Sequence, residues 1–166
     1  MTGQILTVLS YGIYYFSRFL KEKKNIMLYD NVSKAVTILS FIFLKSYDGI
    51  ATTIFTLVRN ITGRAVINKK LKVKIISFII LLAVMVGMYS VKFAGIGTIA
   101  VGISMLFNLV GVIFLGPQGM RICTSCGSVF YIIFQLSIKN TAGGICEFVT
   151  LIVNLVSFIK YKKTDK

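Results

Sequence analysis

One acid stands inside an otherwise uncharged stretch. Between Asn140 and Lys160 about twenty residues carry a single charge, Glu147. Gly143, Glu147, Thr150, Asn154 and Ser157 follow spacings of four, three, four and three, which puts them on one face of a helix. A carboxyl on such a stripe is costly to set against hydrocarbon, so it should face protein or a water-filled cavity. There it could bind a polar solute or exchange a proton. It could equally fix helix packing through a hydrogen bond or ion pair, and both readings stand.

The other candidates sort around it. Arg59 could be the charge partner of Glu147, or its long stem could let it reach headgroups. Asn60 and Asn154 each offer an amide to a common ligand or to a neighbouring helix. Thr53 and Thr150 share faces with them. Tyr131 and Gln135, with Phe130 and Phe134, could line the same pocket or simply pack. Cys123 and Cys126 form a CxxC, but with no second pair and no histidine in the chain a zinc site is not completed, and these thiols read as small apolar residues. No metal site, catalytic residue or cofactor is expected, and no nucleophile–base pair suggests an enzyme.

Positioning these residues requires a membrane. The chain has 166 residues, 56% of them hydrophobic and 14% charged, with a mean hydropathy of +0.84. A water-soluble domain of this length would carry more charge. Seven apolar runs, at 5–20, 32–44, 49–66, 75–91, 94–115, 122–138 and 140–160, approach the length that crosses a bilayer. The third is expected to carry Arg59, Asn60 and Arg64 toward its end. The fifth opens on Gly95, Thr98 and Gly102, a small face that invites close helix approach. The turn Gly116-Pro117-Gln118-Gly119 closes it. On these boundaries Glu147 is the only acid inside a span. The first run lacks a charged leader and its lysines follow it, so a cleaved signal peptide is not expected.

The net charge of +14 reads as topology. With the N-terminus outside, Arg18, Lys21, Lys23, Lys24, Lys34, Arg59, Arg64, Lys69, Lys70, Lys72, Lys74, Arg121, Lys160, Lys162, Lys163 and Lys166 fall on the cytoplasmic side. Only Lys45, Lys92 and Lys139 fall outside, a sixteen-to-three split that orients the chain. The basic residues lie between apolar runs and form no single face for nucleic acid. The partners expected are therefore the lipid bilayer and a small polar solute, with a homo-oligomer left open.

A shift of 94 residues lays the first three spans on the last three without a gap. Only eleven of 72 pairs are identical, but Lys45, Gly49, Thr56, Leu57 and Asn60 fall on Lys139, Gly143, Thr150, Leu151 and Asn154. The stripe of the seventh span recurs in the third as Gly49, Thr53, Thr56, Asn60 and Gly63. The expected fold is an all-α membrane protein: a three-helix repeat at 1–72, a linker helix at 73–94 and a second, parallel repeat at 95–166. Transporters built from parallel repeats place the site near the midplane between halves.

Three helices, a linker and three helices resemble the SWEET, PQ-loop and PnuC group of small-solute transporters. Phe130-Tyr131, followed by an outer loop and a helix with inward polar residues, resembles the later part of a semi-SWEET unit. More closely, the chain is similar to the YgjV-type bacterial inner-membrane family. Gly97-Thr98, Arg121 opening the sixth span, Glu147 with Asn154 seven residues on, Lys160 beyond and Arg59 carry that likeness. The resemblance implies an inner-membrane location and the 3+1+3 plan, and supplies no substrate. The chain departs from SWEET-type sites in having no tryptophan, and Pro117-Gln118 falls in a turn. Two function classes follow: a transporter or facilitator of a small polar solute, or a non-transporting assembly factor, sensor or immunity-type protein whose polar stripes hold helices together.

Overall fold

A computed structural model describes residues 2–90 and 95–161. The expected charges Lys92, Lys162, Lys163 and Lys166 lie outside the described residues. Seven helices follow in order: α1 (Thr2–Arg18), α2 (Lys23–Phe43), α3 (Tyr47–Val66), α4 (Leu71–Ser90), α5 (Ile96–Phe114), α6 (Pro117–Ser137) and α7 (Thr141–Tyr161). Five of them, α2, α4, α5, α6 and α7, are long and apolar enough to cross a membrane. The expectation of seven equally apolar spans is not met at α1 and α3. α1 has 17 residues, near the lower limit for a ~30 Å hydrocarbon core. α3 has 20 but carries Asp48, Arg59 and Arg64.

Six helices close a ring. α1 packs on α2, α2 on α3, α3 on α5, α5 on α6, α6 on α7, and α7 returns to α1. α4 lies outside this ring, against α3 and α5. Its sequence explains the placement, since it is apolar on every side and has no polar stripe to bury.

The bundle is polar inside and apolar outside. α7 buries Gly143, Glu147, Thr150, Asn154 and Ser157, the face expected from their spacing, and exposes Ile145, Phe148, Ile152, Leu155 and Ile159. α3 likewise buries Gly49, Thr53, Thr56, Asn60 and Gly63. Exposed apolar area on this scale is what a lipid-facing surface needs.

The two corners between the ring's paired helices are built alike. At the α2–α3 corner Lys45 takes φ 53°, and at the α6–α7 corner Lys139 takes φ 58°. Lys45 N donates to Ile42 O (3.1 Å) and Ser46 N to Phe41 O (3.0 Å); Lys139 N donates to Leu136 O (3.0 Å) and Asn140 N to Gln135 O (2.9 Å). This is the paired-bond ending that satisfies the last carbonyls of a helix through a left-handed residue. The next side chain then caps the following helix: Ser46 Oγ accepts from Gly49 N (3.2 Å) and Asn140 Oδ1 from Gly143 N (3.1 Å). The two glycines allow close approach. A Cβ on Gly49 would stand 2.7 Å from the Phe41 ring, and one on Gly143 would stand 2.7 Å from Gln135 Oε1.

Two helix starts and one packing face differ from expectation, each for a local reason. α2 begins at Lys23, nine residues before the expected span, so Asp30 lies within a helix and not in a loop, and Lys34 lies in its middle and not at its start. Glu147 is therefore not the only intrahelical acid of the buried interior. α6 begins at Pro117, with Gly116 as its cap, so Pro117-Gln118 forms the first turn of a helix. Proline suits that position because its missing N–H would have no partner there anyway. On α5, a Cβ at Gly95 or Gly102 would meet nothing, whereas one at Gly97 would strike Ser137 Oγ at 2.2 Å. The close face of α5 runs through Gly97, Ala100, Val101 and Ser104, one position out of step with the expected Gly95, Thr98 and Gly102.

Candidate functional site

The polar faces of the ring helices converge on a cavity of about 50 Å³. α1 contributes Tyr14 and Arg18, α2 contributes Asp30 and Lys34, and α3 contributes Thr52, Thr53, Thr56 and Arg59. From the other side come Ser104, Met105 and Asn108 of α5, Thr124, Ser128 and Tyr131 of α6, and Glu147 of α7. A smaller void of about 10 Å³ adjoins it through Tyr14, Lys34 and Tyr131, reaching Ser10, Ser33, Thr37 and Gln135. A water needs about 10–15 Å³ of such space, so the main cavity holds a few waters or one small group.

On the side of α1–α3 the wall is a charged cluster organised by Asp30, which is 1% exposed. Asn60 Nδ2 donates to Asp30 Oδ2 at 2.7 Å. Arg18 Nη2 lies 3.9 Å from the same oxygen, and Lys34 Nζ lies 3.8 Å from Asp30 Oδ1. Arg59 donates through Nε (3.2 Å) and Nη2 (2.9 Å) to Asn60 Oδ1. One amide thus bridges a guanidinium to a carboxylate. The Tyr14 ring carries the Arg18 guanidinium 4.1 Å from its centroid and Lys34 Nζ at 5.0 Å, which holds both cations by their faces.

On the opposite side the wall is nearly neutral. Glu147 accepts from the Tyr11 hydroxyl, and Ser128 lines the cavity beside it. The Tyr15 hydroxyl donates to the Cys146 carbonyl beside it. Thr124 Oγ1 bonds Asn108 Oδ1 (3.1 Å) and Met120 O (2.8 Å).

Beyond the cavity the two ends of the ring differ. Toward the N-terminus of α1, Thr7 Oγ1 bonds Ser40 Oγ at 2.6 Å, Ser40 donates to Gly3 O at 2.6 Å, and Asn140 Nδ2 donates to Gln135 Oε1 at 3.0 Å. At the opposite end two cations clasp helix termini across the ring. Lys23 Nζ donates to Val112 O and Leu115 O, both at 2.6 Å, at the end of α5. Arg121 Nη2 donates to Arg18 O (3.1 Å) and Leu20 O (2.8 Å), at the end of α1. Cations at these carboxyl ends also meet the negative pole of the helix dipole.

Of the residues singled out from sequence, Thr53, Arg59, Tyr131 and Glu147 line the cavity. Asn60 is buried behind its wall, engaged with Arg59 and Asp30. Asn154 is 1% exposed, and neither of its amide atoms has a hydrogen-bond partner among the described residues. Thr150 is buried and donates to Cys146 O at 3.0 Å along its own helix. Gln135 lines the small void and accepts from Asn140. No ion pair joins Arg59 to Glu147 among the described residues. Arg59 turns instead to Asn60 on its own helix, where Asp30 supplies the nearby negative charge. Phe134 is core, and Phe130 stacks on Phe107 at 6.1 Å. The three cysteines are free thiols.

Sequence reasoning missed Arg18, Asp30 and Lys34 as site residues: Arg18 and Lys34 were counted as cytoplasmic charges, and Asp30 fell between the expected spans. A signal was present. Asp30, Ser33, Thr37 and Ser40 repeat the three-and-four spacing already noted in the third and seventh spans, and α2 buries all four. Gly3, Thr7, Ser10, Tyr14 and Ser17 do the same on α1.

No curated protein and no solved structure matches the chain. A family model described as a bacterial inner membrane protein, Imp-YgjV, matches residues 1–165. The chain therefore belongs to the Imp-YgjV family of bacterial inner membrane proteins.

Proposed function

We propose that this protein moves a small polar solute across the bacterial inner membrane, as a transporter or facilitator, with its site in the cavity at the centre of the ring. One observation carries the reading. Polar side chains from all six ring helices meet at a single cavity inside a bundle whose outer surface is apolar. Buried charge in a membrane protein is costly and is kept mostly where a pathway or ligand needs it.

The halves 1–72 and 95–166 act in this reading as two parallel three-helix repeats about the cavity, with α4, which begins two residues before the expected 73–94 segment, as linker. Two features support it. The α2–α3 and α6–α7 corners share their backbone bonds, their left-handed lysine and their capping side chain. The α1–α7 and α3–α5 contacts also exchange with one another under the 94-residue shift, while α4 stays outside. This is the plan of the SWEET, PQ-loop and PnuC group. All seven helices cross the bilayer, with the N-terminus outside and the C-terminus in the cytoplasm. The turns after α1, α3 and α5, with the helix ends beside them, hold Lys21, Lys23, Lys24, Arg64, Lys69, Lys70, Lys72, Lys74 and Arg121, against Lys45 and Lys139 at the turns after α2 and α6. Arg18, Lys34 and Arg59 drop out of that loop count because they line the cavity.

Counterflow in proteoliposomes is the direct test. Liposomes loaded with an unlabelled solute and containing the protein should accumulate the labelled form transiently, and protein-free liposomes should not. A folded protein that exchanges nothing across a panel of small polar solutes would favour the non-transporting reading. Reporter fusions after Lys70 should read cytoplasmic and fusions after Lys139 external. The reverse pattern would invert the assigned orientation.

A further inference from the structure

The wall of the cavity leaves donors of one buried cation without acceptors. Glu147 accepts from Tyr11; Asp30 accepts from Asn60 on Oδ2, while its Oδ1, 3.8 Å from Lys34 Nζ, has no hydrogen-bond partner among the described residues. Arg18 is 2% exposed and lines the cavity, yet its Nε and Nη1 have no hydrogen-bond partner among the described residues. A guanidinium carries five N–H donors and cannot shed its charge, so burying it unpaired is unfavourable. Its contact with Asp30, at 3.9 Å, lies beyond hydrogen-bond range. The Tyr14 ring beneath it, 4.1 Å from the guanidinium carbon, holds the plane in place. Unpartnered guanidinium donors in the wall of a polar cavity are the arrangement that takes up an anion.

The charges around the space agree. Three cations, Arg18, Lys34 and Arg59, face it against two acids, Asp30 and Glu147. An added anion would balance that wall, whereas an added cation would raise its excess charge. The volume, about 50 Å³, suits a group of a few heavy atoms.

We propose that the solute of this cavity carries a small oxyanion, a carboxylate or phosphate group, which accepts hydrogen bonds from Arg18. The role of that binding in movement across the membrane rests on the transport reading above. The binding itself does not.

The test uses the purified full-length chain in detergent, with thermal unfolding followed during titration by sodium formate, acetate or phosphate. Sodium chloride at matched ionic strength and glycerol serve as controls. A ligand that binds only the folded state raises the unfolding midpoint as its concentration passes the dissociation constant. At least one oxyanion series should give a saturable rise that chloride and glycerol do not. The series that saturates at the lower concentration identifies the carboxylate or the phosphate. Arg18→Gln should abolish the response. Because that variant also removes a charge facing Asp30, Arg18→Lys is the deciding one: it keeps the charge but loses the planar donors, and should weaken apparent affinity about tenfold or more. Arg64→Gln, in a separate surface groove with Lys24, should respond like the wild type. An oxyanion response no larger than that of chloride, or unchanged affinity in Arg18→Lys, would overturn the proposal. Failure of the transport reading looks different. An oxyanion that binds here but does not exchange in proteoliposomes removes transport and leaves the site. Exchange of a neutral solute with no oxyanion response removes the site and leaves transport.

Discussion

The walls contributed by α1–α3 and by α5–α7 sit on similar helices and meet the same cavity, yet they are made of different chemistry. The first presents Arg18, Asp30, Lys34 and Arg59, with Asn60 as the bridge. In the second, a 94-residue shift puts Val112, Thr124, Ser128, Val153 and Asn154 at those places. The sole acid of the second wall, Glu147, corresponds to Thr53 in the first. The difference shows how one scaffold separates two tasks. The framework of corners and small-residue contacts is duplicated, while charge is concentrated on one side. The contrast also accounts for the unpaired amide of Asn154. Its counterpart Asn60 binds Asp30 and Arg59, and Asn154 has threonine and valine where those partners would be.

Breaking the charged wall should produce the largest effect. Asp30→Ala leaves Arg18, Arg59 and Lys34 facing one another without their shared counter-charge. Removing one partner of a buried ion cluster typically costs about 3–5 kcal/mol. Chemical or thermal unfolding in detergent should show a loss of that order. A loss under about 1 kcal/mol would mean that the cluster is solvated and not held by Asp30.

The two asparagines sharpen the comparison. Asn60→Leu removes charge-assisted bonds to both Asp30 and Arg59 and should cost about 2–3 kcal/mol. Asn154→Leu replaces an amide with no partner by an apolar group of similar size and should be neutral or stabilising. Unfolding midpoints measured side by side should therefore separate the two variants clearly. Equal losses would show that Asn154 has partners of its own.

The corners should behave alike where the walls do not. Lys45→Gly and Lys139→Gly each relieve a left-handed residue that carries a side chain, so each should stabilise by about 1 kcal/mol. Matched gains would support equivalent corners, and a gain at one site with a loss at the other would break that equivalence. The smallest expected effect is a coupling. Arg59→Ala and Glu147→Gln share no hydrogen-bond partner, so their stability effects should add within about 0.5 kcal/mol in a double-mutant cycle. A larger coupling would restore Arg59 as the partner of Glu147.

Much of this organisation was legible in the sequence. The stripe on α7 could be read directly, because it lies inside a long run whose other residues are mostly apolar, and the stripe on α3 was legible as its repeat under the 94-residue shift. The matched corners were visible as Lys45 with Gly49 and Lys139 with Gly143. What stayed hidden was the depth of Asp30 and Lys34. Charges at the edge of an apolar run read as interfacial by default, and only the packing of α2 against α1 and α3 shows that this helix starts early and turns them inward. The pairing of Arg59 was hidden for a related reason. Its nearest acid was judged by span membership, which left out Asp30. The tilt of α5 by one position could not be read either, since Gly95, Gly97 and Gly102 offer equivalent small faces until Ser137 of α6 selects one.

The central claim is that both walls enclose one polar space that water and solute can reach from within an apolar bundle. Cysteine accessibility tests it most directly, and it needs no known substrate. In a background with Cys123, Cys126 and Cys146 replaced, single cysteines at Thr53, Ser104 and Ser128 place a thiol on the cavity from α3, α5 and α6. A small hydrophilic methanethiosulfonate reagent should modify all three in intact membranes. It should leave cysteines at Leu109, fully buried in the core, and at Ile152, on the outer apolar face, unmodified. Labelling at Ile152 with none at Thr53, Ser104 and Ser128 would contradict the account.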